Sequence, residues 1–179
     1  MIFLYGQQHD RYKIPAEYVG GSMNYDIAVL KVDASTVLMA SEAMAVTVAN
    51  SDYVSVLETA IAIGNPEGNG ISATVGHVNV ESEYIQMLGG DNATAVEYRV
   101  MRIDTAVNSG NSGGGLFNAK GELIGIVNAK MSDSSVDNIG YAIPSNVASA
   151  VAENIIYYCD GTEKESVYRC IMGITVEAK

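Results

Sequence analysis

The chain reads as an all-β body followed by one C-terminal helix. Three observations carry that reading: apolar residues recur with period two or in short runs, glycine-rich turns break those runs at intervals suited to a barrel, and a single late segment switches to helical spacing.

Taken in chain order, strands are expected over residues 12–19, 27–32, 59–63, 73–80, 96–101, 123–128 and 140–143. Turn chemistry separates them: Gly20-Gly21, Gly64-Asn65-Pro66, Gly68-Asn69-Gly70, Gly89-Gly90-Asp91-Asn92, Gly113-Gly114-Gly115 and Lys120-Gly121. After Pro144 the spacing changes. Val147, Val151 and Ile155 recur at every fourth position, with Ala148, Ala152 and Ile156 beside them, which makes one apolar stripe of an amphipathic helix over 146–161. Ser145 or Asn146 is placed to cap its first turn, and Asp160-Gly161 to end it.

A length of 179 residues suits one folding unit with a substantial core, and 48% apolar against 17% charged residues is an ordinary globular composition. The net charge of −11, with no cluster of Lys or Arg, argues against nucleic acid and against an anionic membrane surface as partners. No apolar stretch approaches the roughly 20 residues that a spanning helix needs, and the N-terminus has no signal-like basic and apolar regions. Cys159 and Cys170 are too few for a disulfide framework and lack zinc-site spacing. Whether they form a bridge depends on geometry and compartment.

Chemistry concentrates in Asn108-Ser109-Gly110-Asn111-Ser112-Gly113-Gly114-Gly115, just before the apolar Leu116-Phe117. A serine in a tight turn with glycines on both sides exposes its hydroxyl, and the backbone amides of Gly110 and Ser112 can then point at a developing oxyanion. Glycine leaves room for a substrate carbonyl to approach. A flexible Gly/Ser connection between strands is the plain alternative for such a run. A phosphate-binding loop needs a Lys-Ser or Lys-Thr opening a helix, and none follows. The second feature is Asp26, directly ahead of the apolar run Ile27-Ala28-Val29-Leu30. A carboxylate there suits the orienting acid of a catalytic triad, and equally an ordinary turn residue at a strand start.

Together these segments resemble the HtrA/Deg serine proteases. The likeness rests on Asn24 to Val32, on Ala62-Ile63-Gly64-Asn65-Pro66, on Ser72 to Gly76, and on the loop from Asp104 to Gly114. Gly121 to Ile126 and Ile139 to Ser145 follow in the family's order. The resemblance implies a chymotrypsin-like double β-barrel, its first barrel incomplete, with a C-terminal α-helix. Residues 1–54 would hold the remainder of the first barrel and the linker, 55–145 the second barrel, 146–161 the helix, and 162–179 a linker leading to the first strand of a PDZ domain. It further implies Ser112 as nucleophile, Asp26 as orienting acid and the Gly110 and Ser112 amides as oxyanion hole. Ala106, Val127, Asn128 and Ala129 would line a specificity pocket for small or medium apolar side chains. The implied substrates are unfolded polypeptides outside the cytoplasm, and no metal or other cofactor is implied by the resemblance.

In that family the catalytic histidine precedes the aspartate on an earlier strand, and by this reading the chain starts after it. His9 sits in a polar turn and His77 in a strand of the second barrel, neither suited to be the base. Negligible proteolysis by the chain alone is therefore expected, as is self-association through an open N-terminal sheet. Two readings of other classes stand beside this one: a pseudoprotease that binds peptides as a chaperone-like module, and a ligand-binding β-sandwich.

Overall fold

Alternation builds the larger unit. In the computed structural model, which describes residues 2–4, 12–66, 70–88, 93–108, 110–130, 139–158 and 167–168 (backbone alone for 129 and 130), six antiparallel strands close into a barrel. They are β3 (Thr59–Gly64), β4 (Ser72–Leu88), β5 (Ala95–Ile103), β6 (Gly115–Phe117), β7 (Leu123–Lys130) and β8 (Gly140–Pro144). Their order around the barrel is β3-β4-β5-β8-β7-β6, and the pairs Ala62 with Leu116 and Ile61 with Phe117 close β6 onto β3. Inward positions fill the interior with Ala60, Ala62, Val78, Met101, Ile103, Leu116, Ile124 and Ala142. Full burial of each Val, Leu, Ile or Met is worth roughly 1.5–3 kcal/mol, so this cluster is the main source of stability.

A second, smaller sheet pairs β1 (Glu17–Ser22) with β2 (Ile27–Lys31), joined by a turn over residues 23–26. Ile2 and Ile14 add one antiparallel bridge. A four-residue helix, α1 (Thr36–Met39), and a 3-10 turn (Ser51–Tyr53) lie on the connection to the barrel. Helix α2 (Ser145–Tyr158) follows β8 directly and covers β1, β2 and β7, where Val151 and Ile155 pack with Ile27 and Ile143. The all-β body with its C-terminal helix is thus the architecture observed.

Several elements depart from the sequence reading. Strand β1 begins at Glu17 rather than residue 12, because Pro15 has no N–H for a ladder and splits the run. Gly20-Gly21, expected as a turn, lies inside β1 beside a bulge. A Cβ on Gly21 would stand 2.8 Å from the Tyr18 hydroxyl and 3.2 Å from the Ile27 carbonyl, so glycine serves close approach rather than a turn. Strand β4 runs on to Leu88 through the polar Glu81-Ser82-Glu83, with bulges at the crossing. Gly115 belongs to β6, not to the preceding turn.

Neither expected residue caps α2 with its side chain. The Ser145 hydroxyl donates to the Ala49 carbonyl at 2.7 Å, and the Asn146 amide group donates to Asn50 Oδ1 at 2.6 Å. The capping acceptor comes from a distant segment instead: Ser51 Oγ accepts the Asn146 backbone N–H at 3.1 Å. Ile156, placed on the stripe, is exposed. His9, Cys159, Cys170, Asp160-Gly161 and most of 162–179 lie outside the described residues.

Candidate active site

The loop from β5 to β6 is held by backbone bonds at both ends of the serine. Asn111 N–H donates to the Asn108 carbonyl at 3.0 Å, and Gly114 N–H donates to the Asn111 carbonyl at 2.9 Å. Two further bonds fasten the loop to β7, from Gly113 N–H to the Val127 carbonyl at 2.7 Å and from Val127 N–H to the Gly114 carbonyl at 2.8 Å. Gly110 and Gly113 sit at φ +96° and +82°, in the left-handed region that glycine enters without steric cost. Asn111 points inward and is buried, while Ser112 is exposed. Gly64 backs the loop so closely that a Cβ there would come within 2.5 Å of Asn111 Oδ1. Among the described residues, neither the Gly110 nor the Ser112 amide donates to a backbone acceptor.

Asp26 ends the β1–β2 turn, at φ +52°. Asn128 Nδ2 donates to its Oδ2 at 2.6 Å. The residue as a whole stays exposed, yet partial burial of the carboxyl pushes its pKa above the ordinary carboxylate value.

Asp26 and Ser112 line one cavity of about 570 Å3, together with Gly113 and Val127, and α2 closes a wall of it with Ala148, Ser149 and Ala152. An exposed hydroxyl and a carboxylate on one cavity are two of the parts that acyl transfer needs, donors for the oxyanion and a base for the serine proton being the others; Gly110 does not line this cavity. His77 does not line the cavity: its Nδ1 lies 3.9 Å from Asp104 Oδ2, and its backbone N–H donates to Asp104 Oδ1 at 2.5 Å. His9 lies outside the described residues. Among the described residues no cluster of three or more His, Cys, Asp or Glu could hold a metal ion.

Two of the residues expected to line a specificity pocket, Val127 and Asn128, stand near Ser112 and Asp26. Val127 lines the cavity. Ala106 is exposed and off the cavity, its carbonyl accepting from Thr74 Oγ1 at 2.9 Å. Asn128 is spent on Asp26, and the side chain of Ala129 lies outside the described residues. The wall from α2 carried no signal in the sequence beyond small residues on a helix face, and Tyr98, whose hydroxyl donates to the Met23 carbonyl beside Asp26, carried none at all.

A closed antiparallel barrel presenting a glycine-flanked serine beside a carboxylate from a second sheet defines the class of β-barrel serine peptidases. The chain belongs to the trypsin-like peptidase domain family, whose profile matches residues 2–126. Its relatives are of the HtrA/DegP type. It is 34% identical over 170 residues to the serine protease Do-like HtrA of Bacillus subtilis, which covers 94% of this chain and 35% of the relative. With the periplasmic pH-dependent serine endoprotease DegQ of Escherichia coli it shares 35% identity over 151 residues, 84% of this chain and 31% of the other. The solved HtrA-type protease AlgW with a decapeptide superposes with a TM-score of 0.65 at 35% identity, over 81% of this chain and 41% of that one. The chain thus spans about a third of the length of the curated relatives it matches. The chymotrypsin-like fold of those relatives accounts for the all-β body with its C-terminal helix.

Proposed function

We propose that the chain is the catalytic domain of an HtrA/Deg-like serine endopeptidase, with Ser112 as nucleophile, Asp26 as orienting acid, and the Gly110 and Ser112 amides as oxyanion hole. The observation that supports it most is the meeting of Ser112 and Asp26, 86 positions apart in sequence, on one cavity. In the reaction Ser112 Oγ attacks a peptide carbonyl and loses its proton to a histidine that Asp26 orients. The two amides take the charge on the carbonyl oxygen, and the histidine then returns the proton to the leaving amine. Substrates are extended segments of unfolded protein, in keeping with the peptide complexes of the AlgW structures. Several relatives are named as periplasmic, which supports action outside the cytoplasm, and among the described residues no helix is long and apolar enough to cross a membrane.

Because no described histidine reaches the cavity, the chain by itself hydrolyses protein very slowly, by several orders of magnitude relative to a complete triad. Casein hydrolysis, measured for the chain and for a form lengthened upstream in its reading frame, tests both halves. The reading expects hydrolysis only by the lengthened form, abolished by Ser112→Ala. Robust hydrolysis by the short chain would overturn the inactivity, and none by either would leave peptide binding without cleavage as the function.

A further inference from the structure

The turn that carries Asp26 is bonded to the barrel at both ends. At one end Asn128 Nδ2 holds the carboxylate, at 2.6 Å. At the other the Tyr98 hydroxyl, from β5, donates to the Met23 carbonyl at 2.9 Å. Between them Asp26 adopts φ +52°, in the left-handed region that Asp enters more readily than most non-glycine residues and that remains uncommon for it.

Tyr98 is suited to hold that turn. Its ring is 4% exposed, packed with Val96, Val100 and Tyr141, so the hydroxyl is aimed by the core. Strand β5 is itself fixed to β4, where the Arg102 guanidinium grips the Glu83 carboxylate with two bonds and Arg99 Nε donates to Ser82 Oγ at 3.0 Å. Beside the Tyr98 bond lies a cavity of about 270 Å3, lined in part by Asn24, Tyr25, Tyr98 and Arg99. The boundary between turn and strand is therefore loosely filled, and the hydroxyl bond crosses it.

We propose that Tyr98 is a positioning residue for Asp26: its hydroxyl anchors the start of the turn, and so keeps the carboxylate against Asn128 and directed at the Ser112 cavity. This rests on the reading of Asp26 as the orienting acid. Removing the hydroxyl lets the turn over residues 23–26 loosen, lets Asp26 leave its left-handed conformation and carries the carboxylate toward solvent.

The test is nuclear magnetic resonance on chain labelled at the Asp carboxyl carbons and Asn side-chain amides, comparing wild type, Tyr98→Phe and Tyr53→Phe, the last an exposed tyrosine that lines neither cavity. In Tyr98→Phe the bonded state of the turn falls about twofold to tenfold, the worth of one net hydrogen bond. The Asn128 amide resonance then moves toward that of a free amide, and the Asp26 titration moves down toward the ordinary carboxylate value. Tyr53→Phe leaves both where they are. A folded Tyr98→Phe with both signals unchanged overturns the proposal. If Tyr98→Phe does not fold, 3-fluorotyrosine in place of Tyr98 keeps the ring and makes the hydroxyl a stronger donor; an unmoved Asn128 resonance then overturns it equally. Fluorophosphonate labelling of Ser112, on the chain and on its lengthened form, separates the two claims. Signals that depend on Tyr98 in a protein never labelled uphold the positioning and sink the catalytic reading.

Discussion

Two neighbouring glycines in the serine loop predict losses of different size from the same change. A Cβ at Gly114 would press on the Ile63 carbonyl and stand 2.8 Å from the Asn111 carbonyl and 3.2 Å from Gly64 Cα. All three are backbone atoms, so none can swing aside and the loop itself must move. That movement breaks the two bonds to Val127, about 1 kcal/mol each, and adds at least about 1 kcal/mol of overpacking. Gly114→Ala should thus cost about 3 kcal/mol, which for a chain of this size lowers Tm by about 6–12 °C. A Cβ at Gly113 meets nothing within 4 Å, and only its φ of +82° penalises a side chain. Gly113→Ala should cost about 1 kcal/mol, or about 2–4 °C. Thermal melts followed by far-ultraviolet circular dichroism compare the two directly. A Gly114→Ala melt equal to or above that of Gly113→Ala would refute the close packing of the loop against β3.

Other expectations follow from the same geometry. Asn128→Leu removes the donor to Asp26 and leaves a partly buried carboxylate unpaired, so it should destabilise by about 1–3 kcal/mol in chemical denaturation; an unchanged midpoint would contradict the bond. For Asp26, burial raises the folded-state pKa, so its contribution to stability is fully present below the unfolded value and is lost as pH rises through the folded one. Asp26→Asn should accordingly melt no lower than wild type at neutral pH and lose that standing in acid, an effect kept modest by the residue's exposure. The reverse order would argue against desolvation of the carboxyl. Among the described residues the small sheet leaves Tyr18 and Leu30 exposed and its outer strand edges without a partner strand, and light scattering at micromolar concentration should report a mass above that of the monomer.

What was legible in the sequence was what period-two patterning and turn chemistry encode locally. Five of the six barrel strands, all but the three-residue β6, were visible, as were the serine loop and the aspartate ahead of Ile27, because each depends on neighbours in the chain. The bond from Asn128 to Asp26 was not legible, for a definable reason. The β7–β8 register shifts between Val127 and Ala129, and this bulge buries Val127 and Asn128 in succession, so alternation no longer reports which way a side chain points. Strict period two would have turned one of them to solvent. The cap of α2 failed likewise, because its acceptor, Ser51, lies 95 residues before Asn146. Polar side chains with local partners are readable, whereas Ser145, Asn146 and Tyr98 bond across the fold and leave no periodic trace.

The central claim is that Ser112 is a nucleophile whose activity depends on a base the described residues do not bring to the cavity. Fluorophosphonate labelling, mapped by mass spectrometry to the modified residue, tests it most directly on the chain, on its lengthened form and on Ser112→Ala. The account predicts label on Ser112 in the lengthened form alone. Label on the short chain at Ser112, or on any other serine of the lengthened form in place of Ser112, would contradict it.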